Sequence, residues 1–138
     1  MVMSGRVKRL FILILTEDDG HAQPLTLGLR AHGHEVFIAR SEDQATRTLV
    51  VHASDVILVD TSLAGDDGYE VADRLCVPMK KRPMLIGMTG HNPAAERLRT
   101  HQFDYHVQKP VDVTALAEYL SAPTDGAARE SSKQRLGA

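Results

Sequence analysis

Carboxylates, a hydroxyl and an amine stand at the ends of four short apolar runs in the chain. The runs are LFILIL, DVILV, MLIGM and YHVQ, and the residues that follow them are Glu17 with Asp18, Asp60, Thr89 and Lys109. If the runs are neighbouring parallel strands, their carboxyl ends lie along one edge of the sheet, where open α/β sheets bind their ligands. These side chains are therefore predicted to form one site.

The carboxylates of Glu17, Asp18 and Asp60 would repel one another at this edge. Two such charges about 4 Å apart repel by roughly 4 kcal/mol at an effective dielectric constant of about 20. A hard divalent cation offsets this repulsion. Mg²⁺, which is bound through one or two carboxylates and several waters, suits this ligand set better than Zn²⁺. We therefore expect Mg²⁺ as the cofactor.

With a metal bound, one carboxylate could attack a phosphoryl group and hold it as an acyl phosphate. The oxygens of that group would then need hydrogen-bond donors and positive charge. The available donors are the Thr89 hydroxyl, the Lys109 ammonium and the backbone amides around Thr61 and Gly90. The pattern therefore indicates phosphoryl transfer.

The elements that must position these residues are short strands alternating with amphipathic helices. The runs are almost continuously hydrophobic, as strands buried on both faces require. Helix starts are predicted at Ser41, Asn92 and Asp112, and Gly33 is placed to end the first helix. Five strands and five helices result, ending near Ser121. Right-handed crossovers make an α/β, doubly wound parallel sheet the expected fold.

The composition is that of one globular domain, with 138 residues, 43% of them apolar and 25% charged. A formal charge of −2 provides no basic field for nucleic acid or anionic lipid. No run approaches the roughly 20 apolar residues of a membrane span. The single cysteine, Cys76, cannot form an internal disulfide, so we expect a cytoplasmic location. Residues 1–121 are predicted to form the domain and residues 122–138 a disordered tail.

Four segments, in order along the chain, resemble the receiver domain of bacterial two-component response regulators. They are ILILTEDD, SDVILVDTSLAGDDGYEVADRL, PMLIGMTG and FDYHVQKPVD, and the resemblance covers about residues 7–120. It implies a flavodoxin-like (β/α)5 fold with strand order 2-1-3-4-5. It also implies that Asp60 accepts a phosphoryl group from a histidine kinase or a histidine phosphotransfer protein. Such a domain is a signalling phosphoprotein, not an enzyme, apart from its own phosphorylation and dephosphorylation.

The same resemblance assigns roles to the remaining site residues. Asp18 would bind Mg²⁺ directly, Glu17 would act largely through water, and Ser62 would offer its backbone carbonyl. Thr89 and Lys109 would contact the phosphoryl group, and the Lys109–Pro110 bond would be cis. A downstream protein would dock on the face made by the fourth helix, fifth strand and fifth helix.

Several positions depart from the family pattern. Ala64 stands where proline is common, and Gln102 replaces a glycine common at that helix end. The stretch from Thr89 to Phe103 is about two residues shorter than usual, so we expect a trimmed fourth helix or preceding loop. The first helix also looks one residue short. The acidic pair is therefore either Glu17–Asp18 or Asp18–Asp19.

His106 stands where many receivers place the tyrosine or phenylalanine that reports phosphorylation. We therefore expect a switch based on Thr89, with a weaker aromatic readout. His91, two residues after Thr89, borders the phosphorylation site in the family and could tune the lifetime of the acyl phosphate. The other histidines show no zinc-ligand spacing.

Other functions are compatible with parts of the pattern. A receiver that is never phosphorylated could act as an interaction module, although such proteins normally lose a site residue that this chain keeps. A receiver excised from a hybrid kinase would look the same, but no output domain fits after Leu120, so a stand-alone receiver is expected. A haloacid-dehalogenase-like phosphatase would need aspartate at Ser62. A flavodoxin would need a hydroxyl-rich and glycine-rich loop instead of Glu17–Asp19.

Overall fold

A five-stranded parallel sheet forms the centre of the molecule in the computed structural model, which describes residues 9–61, 68–90 and 103–121. The strand order is β2-β1-β3-β4-β5, as predicted. The strands are β1 (Phe11–Leu15), β2 (Glu35–Ala39), β3 (Val56–Asp60), β4 (Met84–Thr89) and β5 (Tyr105–Gln108). The described helices are α1 (Asp19–Ala31), α2 (Glu42–Val51), α3 (Gly68–Cys76) and α4 (Val113–Ser121).

Helix α4 is the helix that the sequence places fifth along the chain. The predicted fourth helix, with Asn92 at its start and Gln102 at its end, lies outside the described residues. The same holds for Ala64 and for the predicted tail at residues 122–138. No helix in the described ranges is long and apolar enough to cross a bilayer.

The central strands are buried on both faces, which explains their unbroken apolar sequences. Alternate residues of β1 face opposite cores because side chains along a strand alternate. Ile12 and Ile14 join the core that includes residues of α1 and α4, whereas Leu13 and Leu15 join the core that includes residues of α2 and α3. The sheet is thus doubly wound, as predicted.

The helix ends follow the predicted capping residues. Ser41 caps α2 by accepting a hydrogen bond from the amide of Gln44, and Asp112 caps α4 by accepting one from the amide of Ala115. Helix α1 ends just before Gly33, whose φ of 94° lies in the left-handed region. These local signals set where α2 and α4 begin and where α1 ends.

Candidate functional site

Asp60 is the last residue of β3, and its carboxylate forms a buried ion pair with Lys109. The Nζ atom of Lys109 lies 3.0 Å from Oδ1 and 3.1 Å from Oδ2 of Asp60. The side chain of Asp60 is 5% exposed and that of Lys109 is 20% exposed. A carboxylate this deeply buried requires a counter-charge and hydrogen bonds. The predicted phosphoacceptor and the predicted cationic residue are therefore in direct contact.

Thr16 is a third member of this cluster that the sequence analysis did not single out. Its hydroxyl donates a 2.9 Å hydrogen bond to Oδ2 of Asp60 and accepts a 3.2 Å hydrogen bond from the backbone amide of Asp18. Residue pairing explains the contact, because Leu15 of β1 lies beside Val59 of β3. The next residue of each strand is Thr16 and Asp60. The register of β1 against β3 would therefore have identified Thr16 as a neighbour of Asp60.

Thr89 ends β4, and Thr61 follows directly after the end of β3. Thr89 is the last residue of β4 and is fully buried, and its carbonyl accepts a 2.7 Å hydrogen bond from the backbone amide of Lys109. The amide of Thr61 donates to the carbonyl of Met88 at 3.0 Å. Gly90 follows Thr89 and is exposed. The structure thus places these predicted phosphoryl-binding residues at the carboxyl edge that holds Asp60.

The acidic residues after β1 make different contacts. Asp18 caps α1, where its Oδ1 accepts a 3.2 Å hydrogen bond from the amide of His21. Asp19 instead forms an ion pair with Arg40, at 2.5 and 2.6 Å. Glu17 and Asp18 are both exposed. The contact with Arg40 directs Asp19 toward the loop after β2.

Binding of Mg²⁺ by Glu17, Asp18 and Asp60 stays a prediction. No three Asp, Glu, His or Cys side chains within residues 9–61, 68–90 and 103–121 are arranged as a metal site. Ser62, predicted to supply a carbonyl ligand, and His91, predicted to tune the site, both lie outside the described residues. Of the predicted Mg²⁺ ligands, Glu17, Asp18 and Asp60 lie within the described residues.

His106 is turned inward and is 1% exposed. It pairs with Gly87 across β4 and β5, and its Cδ2 lies 2.8 Å from the place that a Cβ on Gly87 would occupy. Its ring also packs against Phe103, with the ring centroids 5.1 Å apart. Glycine at position 87 therefore makes room for the imidazole at the predicted switch position.

A cavity of about 550 Å³ opens beside the ion pair and brings in a second residue that the sequence analysis missed. His21 lines it together with Asp18, Lys109 and apolar residues of α1 and the loop before α4. Neither ring nitrogen of His21 has a hydrogen-bond partner among the described residues. Burial, followed by the positive charge of Lys109, lowers the pKa of His21 below its usual value. Its position three residues after Asp18, in the first turn of α1, was the available signal.

The peptide bond between Lys109 and Pro110 is cis, which confirms that prediction. It lies in the segment that joins β5 to α4 and lines the same cavity as His21. The carboxyl edge of the sheet thus combines a buried carboxylate, an ammonium and two buried threonines.

Comparison with known proteins identifies relatives of this arrangement. Residues 12–121 match the family model of the response regulator receiver domain. The chain is 31% identical over 122 residues to the transcriptional regulatory protein ZraR of Klebsiella oxytoca, with 86% of this chain and 27% of that protein covered. It is 30% identical over 123 residues to the transcriptional regulatory protein AfsQ1 of Streptomyces coelicolor, with 87% and 53% covered. The chain therefore spans about a quarter and about half of these two proteins.

The solved structures give the same family. The signal receiver domain of a DNA-binding response regulator from Colwellia psychrerythraea is 25% identical, with a TM-score of 0.68 over 79% of this chain and 93% of that chain. The family model extends from β1 through the last residue of α4 and so includes the ion pair, both buried threonines and the cis bond. The chain therefore belongs to the response regulator receiver domain family.

Proposed function

We propose that this receiver domain accepts a phosphoryl group on Asp60 from the phosphohistidine of a histidine kinase or a histidine phosphotransfer protein. The observation that carries the proposal is the contact of Lys109 Nζ with both carboxylate oxygens of a buried Asp60. Membership in the receiver family supports the same assignment. We also propose that the domain turns over no substrate other than its own phosphoryl group.

In the proposed transfer, one oxygen of Asp60 forms a bond to phosphorus while the bond from phosphorus to the donor imidazole nitrogen breaks. The electron pair of the broken bond stays on that nitrogen. Lys109, already in contact with the carboxylate, would remain close to the phosphoryl oxygens and offset their charge. The Thr89 hydroxyl and backbone amides around Thr61 and Gly90 would donate hydrogen bonds to the same oxygens. The amide of Thr61 itself is not among them, because it donates to the carbonyl of Met88.

We propose that Mg²⁺ is held by Asp18 and Asp60, with Glu17 acting largely through water and Ser62 adding its carbonyl. The carboxylate of Asp18 is exposed, and its backbone amide donates to the Thr16 hydroxyl that contacts Asp60, so the two residues lie on either side of one hydroxyl. Mg²⁺ needs only one or two carboxylates in addition to waters. Because Asp19 is paired with Arg40, we assign the acidic pair to Glu17 and Asp18. The ion would neutralise charge on the phosphoryl oxygens.

We further propose that phosphorylation changes the conformation at Thr89 and His106, and that a downstream protein reads this change. The signal would pass through the face that includes β5, α4 and the predicted fourth helix. A local change in charge that biases a two-state element is a common form of such switches. The buried imidazole of His106 would take the place of the aromatic side chain that many receivers use.

The test is incubation with Mg²⁺ and a small acyl phosphate donor, followed by intact-mass measurement. Wild type should gain the mass of one phosphoryl group, and a chelator should abolish the gain. Asp60→Asn removes the nucleophile at nearly constant shape and should gain nothing. Asp73→Asn, a matched change at an exposed aspartate of α3, should behave as wild type. No gain in folded wild type would instead favour the unphosphorylated interaction module.

A further inference from the structure

Thr16 joins the phosphoacceptor to the acidic loop after β1 through a single hydroxyl. The residue is 1% exposed. The amide of Asp18 donates to its Oγ1, so the hydroxyl proton is available for Oδ2 of Asp60, 2.9 Å away. Lys109 Nζ approaches the same Oδ2 at 3.1 Å. The threonine therefore contacts the carboxylate directly from the β1 side of the site.

We propose that the hydroxyl of Thr16 shortens the lifetime of the acyl phosphate on Asp60. This inference rests on the proposed function. Its physical basis is that a hydrogen bond to a charged acceptor is about twice as strong as one to a neutral acceptor. The Thr16 hydroxyl therefore stabilises Asp60 more as a carboxylate than as the neutral carbonyl of an acyl phosphate.

The relevant step is hydrolysis of the acyl phosphate. A water oxygen forms a bond to phosphorus, and the bond from phosphorus to the Asp60 oxygen breaks, with its electron pair returning to the carboxylate. Both protons of the water leave with the phosphate, which then releases one to solvent. In a loose transition state the departing carboxylate already carries most of its charge. The hydrogen bond from Thr16 is therefore stronger in that state than in the acyl phosphate, so it accelerates hydrolysis.

Phosphorylation should respond less to Thr16 than hydrolysis does. In the same loose transition state, the attacking carboxylate has lost little of its charge, so its hydrogen bond from Thr16 is nearly intact. Removing the hydroxyl then changes the starting state and the transition state of phosphorylation by similar amounts. An asymmetric effect on the two rates distinguishes this role from general damage to the site.

The test measures acyl phosphate decay after removal of the donor, by intact mass, in wild type, Thr16→Val and Thr16→Ser. Thr16→Val is nearly isosteric and should lengthen the lifetime about fivefold, with less than about twofold change in phosphorylation rate. Thr16→Ser keeps the hydroxyl and should restore decay close to the wild-type rate. The difference should persist at saturating Mg²⁺, because it acts on Asp60 and not on metal affinity through Asp18.

Each outcome of this test decides the inference. Equal lifetimes in wild type and Thr16→Val overturn it, as does a Thr16→Ser variant slowed as much as Thr16→Val, since the methyl group would then be responsible. A difference that disappears at saturating Mg²⁺ also overturns it. If Thr16→Val does not fold by circular dichroism, Thr16→Ala replaces it. A wild type that never gains the phosphoryl group rejects the proposed function itself, whereas the other results reject only the role of Thr16.

Discussion

At the scale of single residues, the ion pair of Asp60 and Lys109 should contribute to the stability of the folded domain. Lys109→Met keeps the aliphatic stem but removes the ammonium from a carboxylate that is 5% exposed. We expect a loss of about 1–3 kcal/mol in the free energy of unfolding, because desolvation of the carboxylate is no longer offset. Urea unfolding at neutral pH measures it.

The control for this prediction is the Asp60→Asn background. Without the buried charge, Lys109→Met should cost distinctly less, so the two substitutions should be non-additive. An equal cost in both backgrounds would show that Lys109 contributes through packing of its stem alone and that the ion pair has no energetic weight.

At the scale of elements, the pairing of β4 with β5 sets the environment of the switch position. Gly87 lies opposite His106, and a Cβ on Gly87 would approach the imidazole to 2.8 Å. Gly87→Ala should therefore destabilise the fold by about 1–3 kcal/mol, since overpacking forces the ring or the strand to move. Truncating the ring with His106→Ala should remove much of that cost, and thermal unfolding of the single and double variants tests both statements.

Gly90→Ala is the matched control, because no atom of the described residues lies within 4 Å of a Cβ at that position. It should leave stability close to that of wild type. A Gly87→Ala variant as stable as Gly90→Ala would contradict the tight packing between β4 and β5.

The way in which strands and helices pack determines which site residues could be predicted from the sequence. Asp60 and Lys109 could be identified because each follows an apolar run, and runs of this kind mark strand ends without any knowledge of neighbours. The role of Thr16 depends on the register that places Leu15 beside Val59, and that of His21 depends on which way the first turn of α1 faces. Both are tertiary properties, and the spacing of His21 from Asp18 indicates only that His21 lies in the first turn of α1.

At the scale of the whole molecule, the carboxyl and amino edges of the sheet have different roles. The carboxyl edge holds the site, whereas side chains at the amino edge bind the backbone where β1 begins. His34 Nδ1 accepts a 3.1 Å hydrogen bond from the amide of Leu10, and Asp55 Oδ2 accepts a 2.9 Å hydrogen bond from the amide of Phe11. Burial, followed by the charge of His32, lowers the pKa of His34 below its ordinary value of 6.5.

This shift makes the stability of the domain depend on pH. The folded state binds a proton on His34 less readily than the unfolded state, so protonation of His34 favours unfolding. The contribution of neutral His34 to stability is therefore fully present above about pH 6.5 and is lost as the pH falls. His21, whose pKa is also lowered, acts in the same direction. The free energy of unfolding should therefore fall between about pH 7.5 and about pH 5.5.

Urea unfolding across this range measures the dependence. His34→Gln should reduce the slope of the free energy of unfolding against pH, because it removes the imidazole whose pKa is lowered. A slope that is the same in wild type and His34→Gln would mean that the folded and unfolded states bind the His34 proton equally well.

Mapping the modified residue tests whether Asp60 carries the phosphoryl group. After incubation with Mg²⁺ and a small acyl phosphate donor, borohydride reduces an aspartyl phosphate to homoserine, and peptide mass spectrometry locates the change. We expect homoserine at position 60 and at no other aspartate. Reduction at another carboxylate, or none in protein that has gained phosphoryl mass, would contradict this assignment.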